Sequence, residues 1–363
     1  MMNNSAHKNG MLDFVTGKYG WQKDTAALYP LGNGLINTTW KLIVPGHEFV
    51  VQKVNQHVFP DPVSIDRNLN ILSDYIFKNY PEYPFVAPVK ATDGSTLVKN
   101  DDQEYFRVFP FISGSHAKDV VATANQAHEA AGTFGKFTRI LSGLDTKKLY
   151  PTILDFHNLD LRYQQFNQAV INGNADRIRE GKKLISYLGA NATIVSRYQE
   201  LCNSADFRLR TTHHDTKISN VLFNDSDTAI CVIDLDTVMP GYFISDVGDM
   251  MRTYLSPVGE EEQDFSLIAV RDEFYEAIVS GYSAQMQDEL TIEEKNSFFY
   301  AGTFMIYMQA LRFLTDYFND DRYYGARYPA HNLVRAGNQV TLLQRLFEKQ
   351  DQFVHAGRKR QLN

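Results

Sequence analysis

The sequence predicts an α+β protein of two lobes: a small antiparallel sheet with one helix, then a larger, mainly helical lobe. Three observations carry this expectation. Residues up to about 110 read as short strands separated by turn residues. From about 120 onward, apolar residues recur at helical spacing. Between the two, Pro110 and Gly114 break regular structure, so the expected lobes are residues 1–112 and 113–363.

In the first lobe, residues 24–31 and 36–44 read as strands flanking the tight turn Gly32-Asn33-Gly34. Phe49-Val50-Val51 begins another strand, and Ile65, Leu69, Leu72 and Ile76 share one helical face. Asp93-Gly94 reads as a hairpin turn between Val89 and Leu97. Residues 105–109 form a last strand, which Pro110 ends because proline cannot donate to a central ladder. In the second lobe Val120, Ala124, Ala127, Ala131, Phe134, Phe137 and Leu141 make one apolar stripe. Residues 221–223 and 230–233 read as short strands around the turn Asp225-Ser226-Asp227. Thr291 and Glu294 have the pattern of a capping box, and Tyr300, Phe304, Tyr307, Leu311, Leu314 and Phe318 follow on one face. The basic tail Arg358-Lys359-Arg360 is expected to be disordered.

Of 363 residues, 44% are hydrophobic, enough for substantial cores. A net charge of −7 argues against nucleic-acid binding, which needs clustered Lys and Arg, but not against ATP, which needs only a local positive site. Residues 1–20 have no apolar leader core, and no run approaches the roughly 20 apolar residues of a membrane helix. Cys202 and Cys231 are the two cysteines, so no disulfide framework is indicated, and Cys231 reads as a small core residue. These features fit a cytoplasmic protein without membrane or nucleic-acid partners; monomer and dimer are both compatible with them.

The segment Thr212-His213-His214-Asp215-Thr216-Lys217-Ile218-Ser219-Asn220 contains H-x-D followed by four residues and Asn, and a later apolar run ends in Asp234. Phosphoryl transfer from a magnesium nucleotide needs such a set. Asp215 would accept the proton of an acceptor hydroxyl, Asn220 and Asp234 would hold Mg2+, and Lys217 would neutralise charge on the transferred group. A stretch rich in His, Asp, Thr, Ser and Asn is often only a solvated turn, because such side chains bond their own backbone. The hairpin that returns Asp234 beside Asn220 sharpens the catalytic reading. Gly32, Asn33, Gly34, Asn37 and Thr38 are placed to cover the ATP phosphates, since glycine lets backbone amides approach closely. A lone G-x-G between strands is otherwise a plain hairpin.

Together these segments resemble the aminoglycoside phosphotransferase and choline kinase superfamily, which shares the bilobal fold of protein kinases. The carrying residues are His213 to Asn220 and Ile233-Asp234-Leu235-Asp236. Within the superfamily the resemblance is closer to N-acetylhexosamine kinases, through Gly32 to Trp40, Phe59-Pro60-Asp61, Ile233 to Gly241, Asp246 to Asp249, Arg312 to Tyr317 and Tyr328 to Arg335. It implies a bilobal protein-kinase-like fold and transfer of the ATP γ-phosphate to the anomeric hydroxyl of N-acetylglucosamine or N-acetylgalactosamine. It implies Asp215 as base, Asn220 and Asp234 as metal ligands, Arg312 in the sugar pocket, and Asp236 facing the sugar or the metal. The backbone of Phe109, Phe111 and Ile112 matches the hinge that meets adenine. The sequence departs from the kinase-like pattern at the third-strand lysine: Gln52 takes its place, and Lys53, one residue on, points to the other face. Either a bulge turns Lys53 inward or Gln52 serves.

Other side chains have simpler readings. Arg312 lies four residues before Asp316, where an intrahelical ion pair would form. Asp246 and Asp249 suit the first turn of a helix, with Asp246 bracing the catalytic loop. His331 and Asn332 fit either a helix start or a pocket wall. His116, His128 and His157 read as ordinary polar histidines, and Glu260-Glu261-Glu262 as a solvated loop. Choline, homoserine, methylthioribose or an aminoglycoside would be alternative acceptors, and a non-catalytic nucleotide-binding protein is a third possibility.

Overall fold

The computed structural model of the chain describes residues 2–32 and 36–361. Its helices are α1 (Met2–Tyr19), α2 (Pro62–Asn79), α3 (Ala124–Ile140), α4 (Leu159–Asn172), α5 (Ala175–Glu180), α6 (Lys182–Ala190), α7 (Thr193–Cys202), α8 (Phe243–Tyr254), α9 (Asp272–Met286), α10 (Ile292–Asn296), α11 (Phe298–Phe318), α12 (His331–Glu348) and α13 (Gln350–Gln361). The strands are β1 (Ala27–Pro30), β2 (Thr38–Val44), β3 (His47–Lys53), β4 (Val98–Lys99), β5 (Tyr105–Pro110), β6 (Arg210–Thr212), β7 (Val221–Phe223), β8 (Ala229–Val232) and β9 (Met239–Gly241).

The first five strands form one antiparallel sheet, ordered β1-β2-β3-β5-β4. Alternation gives it two faces. Leu42, Val44, Val51, Phe106 and Val108 point to one face and pack with Val15 and Tyr19 of α1. The opposite face carries Gln52 and, directly across the ladder, Arg107. The hairpin expected at Asp93-Gly94 keeps its turn, with the Gly94 amide donating to the Ala91 carbonyl at 2.9 Å, but the flanking residues are not strands. The strand that pairs β5 on the side away from β3 is β4, joined to it by a turn at Asn100–Glu104. Residues 24–26 also stand outside the expected first strand, because Lys23–Thr25 form a 3-10 turn.

Asp61 caps α2, accepting from the Ser64 amide at 3.2 Å. Ile65, Leu69, Leu72 and Ile76 then bury in the same core as the helical part of the chain, so α2 joins the sheet to the larger lobe. In that lobe α3 and α9 lie so close that a Cβ on Gly281 would sit 2.4 Å from the His128 carbonyl oxygen; glycine is required there by contact. Helix α11 is buried on nearly every side and forms the lobe's axis. Its neighbour α10 starts with the expected capping box of Thr291 and Glu294.

Three expectations are corrected. Val120 is 67% exposed and precedes α3, because Thr123 caps the helix after it. The tail expected to be disordered continues as α13. Glu260 and Glu261 are ion-paired, Glu260 with Arg252 and Arg335, and Glu261 with Arg327. Among the described residues no helix is long and apolar enough to cross a membrane.

Candidate active site

The hairpin β7–β8 sets the centre of the site. Its register pairs Val221 with Val232, so Asn220 lies opposite Ile233, whose amide donates to the Asn220 carbonyl at 2.9 Å. Asp234 follows in a left-handed conformation, φ 59 and ψ 61, rare for a residue with a Cβ. After the 3-10 turn Leu235–Thr237, the chain returns as β9 beside β6, the strand that leads into the loop at 213–220. His213 ties the two segments together. Its Nε2 lies 2.9 Å from the Ile233 carbonyl, so it carries the proton, and Nδ1 accepts from the Asp215 amide at 3.4 Å. The Asn220 side-chain nitrogen donates to the Asp215 carbonyl at 2.9 Å, which leaves its amide oxygen as the group available to a cation.

Helix α8 braces the loop from below. Asp246 accepts from the amides of His213 and His214 at 3.1 and 2.7 Å, and Asp249 accepts from the Thr216 amide at 2.8 Å. The Tyr254 hydroxyl donates to the Thr216 carbonyl at 2.6 Å. Asp249 also pairs with Arg252, which pairs with Glu260, so the loop is tied to the segment that follows α8. His214 is left-handed too, with φ 66, and its ring packs on Gly241, where a Cβ would sit 2.3 Å from Cε1.

Lys217 lies among the carboxylates of Asp215, Asp249 and Asp234. Lys217 Nζ lies 3.2 Å from Asp215 Oδ2. Burial works against its charge, but Asp215, Asp249 and Asp234 prevail and raise its pKa. Asp234 is pushed up to about 7, first by burial and then by Asp236 and Asp215. The residue is nevertheless exposed to solvent.

The nucleotide side differs from expectation in several places. Gly32 has φ +68, which suits glycine, and Thr38 opens β2 at the surface; Asn33 and Gly34 lie outside the described residues. Asn37 is buried, with its amide nitrogen on Asp236 Oδ2 at 2.7 Å and its oxygen accepting from the Asn55 amide at 3.0 Å. Gln52 accepts from Arg107 Nε and Nη2 at 3.1 and 2.9 Å. Lys53 points the other way and pairs with Glu104 at 3.0 Å; no bulge turns it inward. Asp236, expected to face the sugar or the metal, is 2% exposed and held between Asn37 and Arg107. The Arg107 contact is an ion pair of 2.5 Å that lacks hydrogen-bond alignment on Oδ1. Arg107 escaped the sequence reading, although a lone arginine between Phe106 and Val108 of an apolar strand was a visible signal.

At the hinge, Phe109 pairs with Val50, and the Phe111 amide donates to the Glu48 carbonyl at 3.1 Å, extending the β3 ladder. The edge facing away from β3 is therefore the Ile112 amide. An open cavity of about 510 Å³ adjoins this point, lined by Ile43, Glu48, Phe49, Pro110, Phe111 and Ser113.

On the acceptor side, the anticipated Arg312–Asp316 pair does not form. Asp316 instead accepts from the amides of Tyr323 and Tyr324 at 2.8 and 2.9 Å and from Asn332 Nδ2 at 3.1 Å. Arg312 is left to Gln309 and the Tyr323 hydroxyl, with the rings of Phe156 and Tyr324 each 5.5 Å from the guanidinium. His157 was read as ordinary. It stacks on Phe156 and lies 3.3 Å from His214, which places it between Arg312 and the catalytic loop. Arg162 donates to the Asp155 carbonyl at 2.9 Å, while its buried Nε has no partner. Among the described residues, no carboxylate pairs with Arg312 or Arg162. His331 and Asn332 resolve as the first turn of α12.

Comparison with known proteins gives a consistent picture. The Phosphotransferase enzyme family matches residues 28–290. Among solved structures, a microcompartment-associated aminopropanol kinase is similar with a TM-score of 0.65 and 17% identity, over 94% of this chain and 98% of that one. An aminoglycoside phosphotransferase from Alicyclobacillus acidocaldarius gives 0.62 and 14%, over 95% and 94%. An amicoumacin kinase, in complex with AMP-PNP, Ca2+ and its ligand, gives 0.62 and 12%, over 94% and 96%. At these identities the likeness is one of fold, the bilobal α+β arrangement.

Proposed function

The chain belongs to the phosphotransferase enzyme family, and on that premise we propose that it transfers the γ-phosphate of ATP to the anomeric hydroxyl of an N-acetylhexosamine. The observation that carries the phosphotransfer is the convergence of Asp215, Lys217, Asn220 and Asp234 on one groove, through the His213 and Ile233 contacts. Asp215 orients the acceptor hydroxyl and takes its proton as the oxygen–phosphorus bond forms and the bond to ADP breaks. Lys217, charged and beside Asp215, offsets charge on the moving phosphoryl group. Asn37 and Gln52, first expected on the phosphates, are better read as supports behind the site, and Gly32 and Thr38 as its cover.

Magnesium fits the donor set. A carboxylate crowded by the charges of Asp236 and Asp215 is relieved by a cation, and the Asn220 oxygen adds a second hard ligand. Asn220 and Asp234 would hold it, and bound there it would neutralise phosphate oxygens. The hinge reading now centres on the Ile112 amide, since the Phe111 amide is already engaged.

The choice of a neutral sugar over a cationic acceptor is supported by Arg312 and Arg162, two guanidiniums without carboxylate partners, beside Phe156 and Tyr324. Such a wall repels choline or an aminoglycoside and suits hydroxyl and carbonyl oxygens. The test is phosphorus NMR after incubation with ATP, Mg2+ and, separately, N-acetylglucosamine, N-acetylgalactosamine, choline, homoserine and aminopropanol. A new sugar 1-phosphate resonance is expected with the acetamido sugars. Phosphorylation of only the amine-bearing acceptors would overturn the sugar reading and leave the phosphotransferase reading standing.

A further inference from the structure

Arg107 touches neither groove nor solvent, yet it stands where four segments meet. It lies on β5, its guanidinium is gripped by Gln52 of β3, and it pairs with Asp236 from the turn after Asp234. The other oxygen of Asp236 receives Asn37, from the segment that follows Gly32. Arg107 and Asp236 are 3% and 2% exposed. A cation this enclosed cannot reach a phosphate as the missing strand lysine would, so it acts through what it holds and through its charge on nearby Asp234. What it holds is one end of a short lever. Asp234 keeps its left-handed backbone because Ile233 is fixed on one side by Asn220 and His213, and Asp236 on the other by Arg107 and Asn37.

We infer that Arg107 is a positioning residue that replaces the strand lysine: by anchoring Asp236 to the sheet it aims Asp234 at the divalent cation that accompanies the nucleotide. This rests on the phosphotransferase reading above. A purely architectural ion pair is the competing account, and the two part company when both charges are removed. Replacing a buried pair with uncharged groups of similar size often leaves stability intact, whereas removing one partner strands the other. The test therefore uses Arg107→Met combined with Asp236→Asn, and separately Arg107→Lys. Binding of ADP is measured by calorimetry in EDTA and in excess Mg2+, alongside the melting temperature.

The double variant should melt near the wild type and bind ADP in EDTA with unchanged affinity. It should lose ~10-fold or more of the enhancement that Mg2+ gives, the scale of loss when a group supporting a metal ligand is removed. Arg107→Lys keeps the charge but not the forked contact, and should lose about 3-fold or more of the enhancement. A double or lysine variant that folds and keeps the full Mg2+ enhancement overturns the inference alone. Wild-type protein whose ADP binding does not respond to Mg2+ overturns both the inference and the reading on which it rests.

Discussion

At the scale of single residues, Asp215 is held by its own backbone as much as by its neighbours. Its amide meets His213 and its carbonyl meets Asn220, so a change confined to the carboxylate leaves the loop in place. Asp215→Asn should therefore keep ADP affinity within about 2-fold while cutting turnover by roughly 100-fold or more. Near-normal turnover in that variant, with any accepted acceptor, would remove Asp215 from its role as base. Arg312 carries a different expectation, because its contacts are aromatic rings, an amide and a phenol rather than Asp316. Arg312→Ala should raise the acceptor KM by about 10-fold or more and leave the ATP KM nearly unchanged. Equal, small changes in both would return Arg312 to a structural role. The i, i+4 spacing invited an ion pair, but Asp316 found three N–H donors with which to share its burial.

At the scale of elements, strand β9 is constrained by what lies over it. Gly241 leaves room for the His214 ring, whose Nε2 is 2.8 Å from Thr212 Oγ1. Gly241→Ala would drive a methyl group into that ring and into Thr212 at once. The expected cost is about 1–3 kcal/mol in urea unfolding, with a clear drop in turnover as the catalytic loop shifts. An alanine variant of wild-type stability and activity would mean that β9 does not support the loop. The capping box of α10, the helical face of α2 and the β7–β8 hairpin were all legible in the sequence, because each is written in residues a few positions apart. Helix α1 was not anticipated from the sequence, although Met11, Leu12, Phe14, Val15 and Tyr19 pack its described part against the sheet.

At the scale of the whole molecule, three imidazoles are enclosed around the catalytic loop. Burial is the largest cause of a lowered pKa at each of His157, His213 and His214, and His214 is brought to about 4. A histidine with its folded pKa below the ordinary ~6.5 loses stability as pH falls through that value, because the unfolded chain takes up the proton first. For His214 the loss between pH 7 and pH 5 is about 2 kcal/mol. Asp246, pushed up to about 7 by burial against the pull of two backbone amides, acts in the opposite direction over the same window. The histidine contribution is therefore isolated by difference: relative to wild type, His214→Asn should gain about 2 kcal/mol in urea stability on going from pH 7 to pH 5. A difference that stays flat across that range would show that His214 is not held neutral.

Local patterning is enough to specify the two-lobed α+β class, the hairpin that returns Asp234 to Asn220, and the spacing that makes Asp215 a candidate base. These are set by periodicity, turn chemistry and register, which act over a few residues. Long-range packing sets the rest: Asp236 turns inward to Arg107 and Asn37, Gln52 holds an arginine instead of a phosphate, and Arg312 is free of Asp316. Each of those outcomes depends on which charged groups are enclosed together. Enclosure is a property of how the faces of distant elements meet, and no local spacing encodes it.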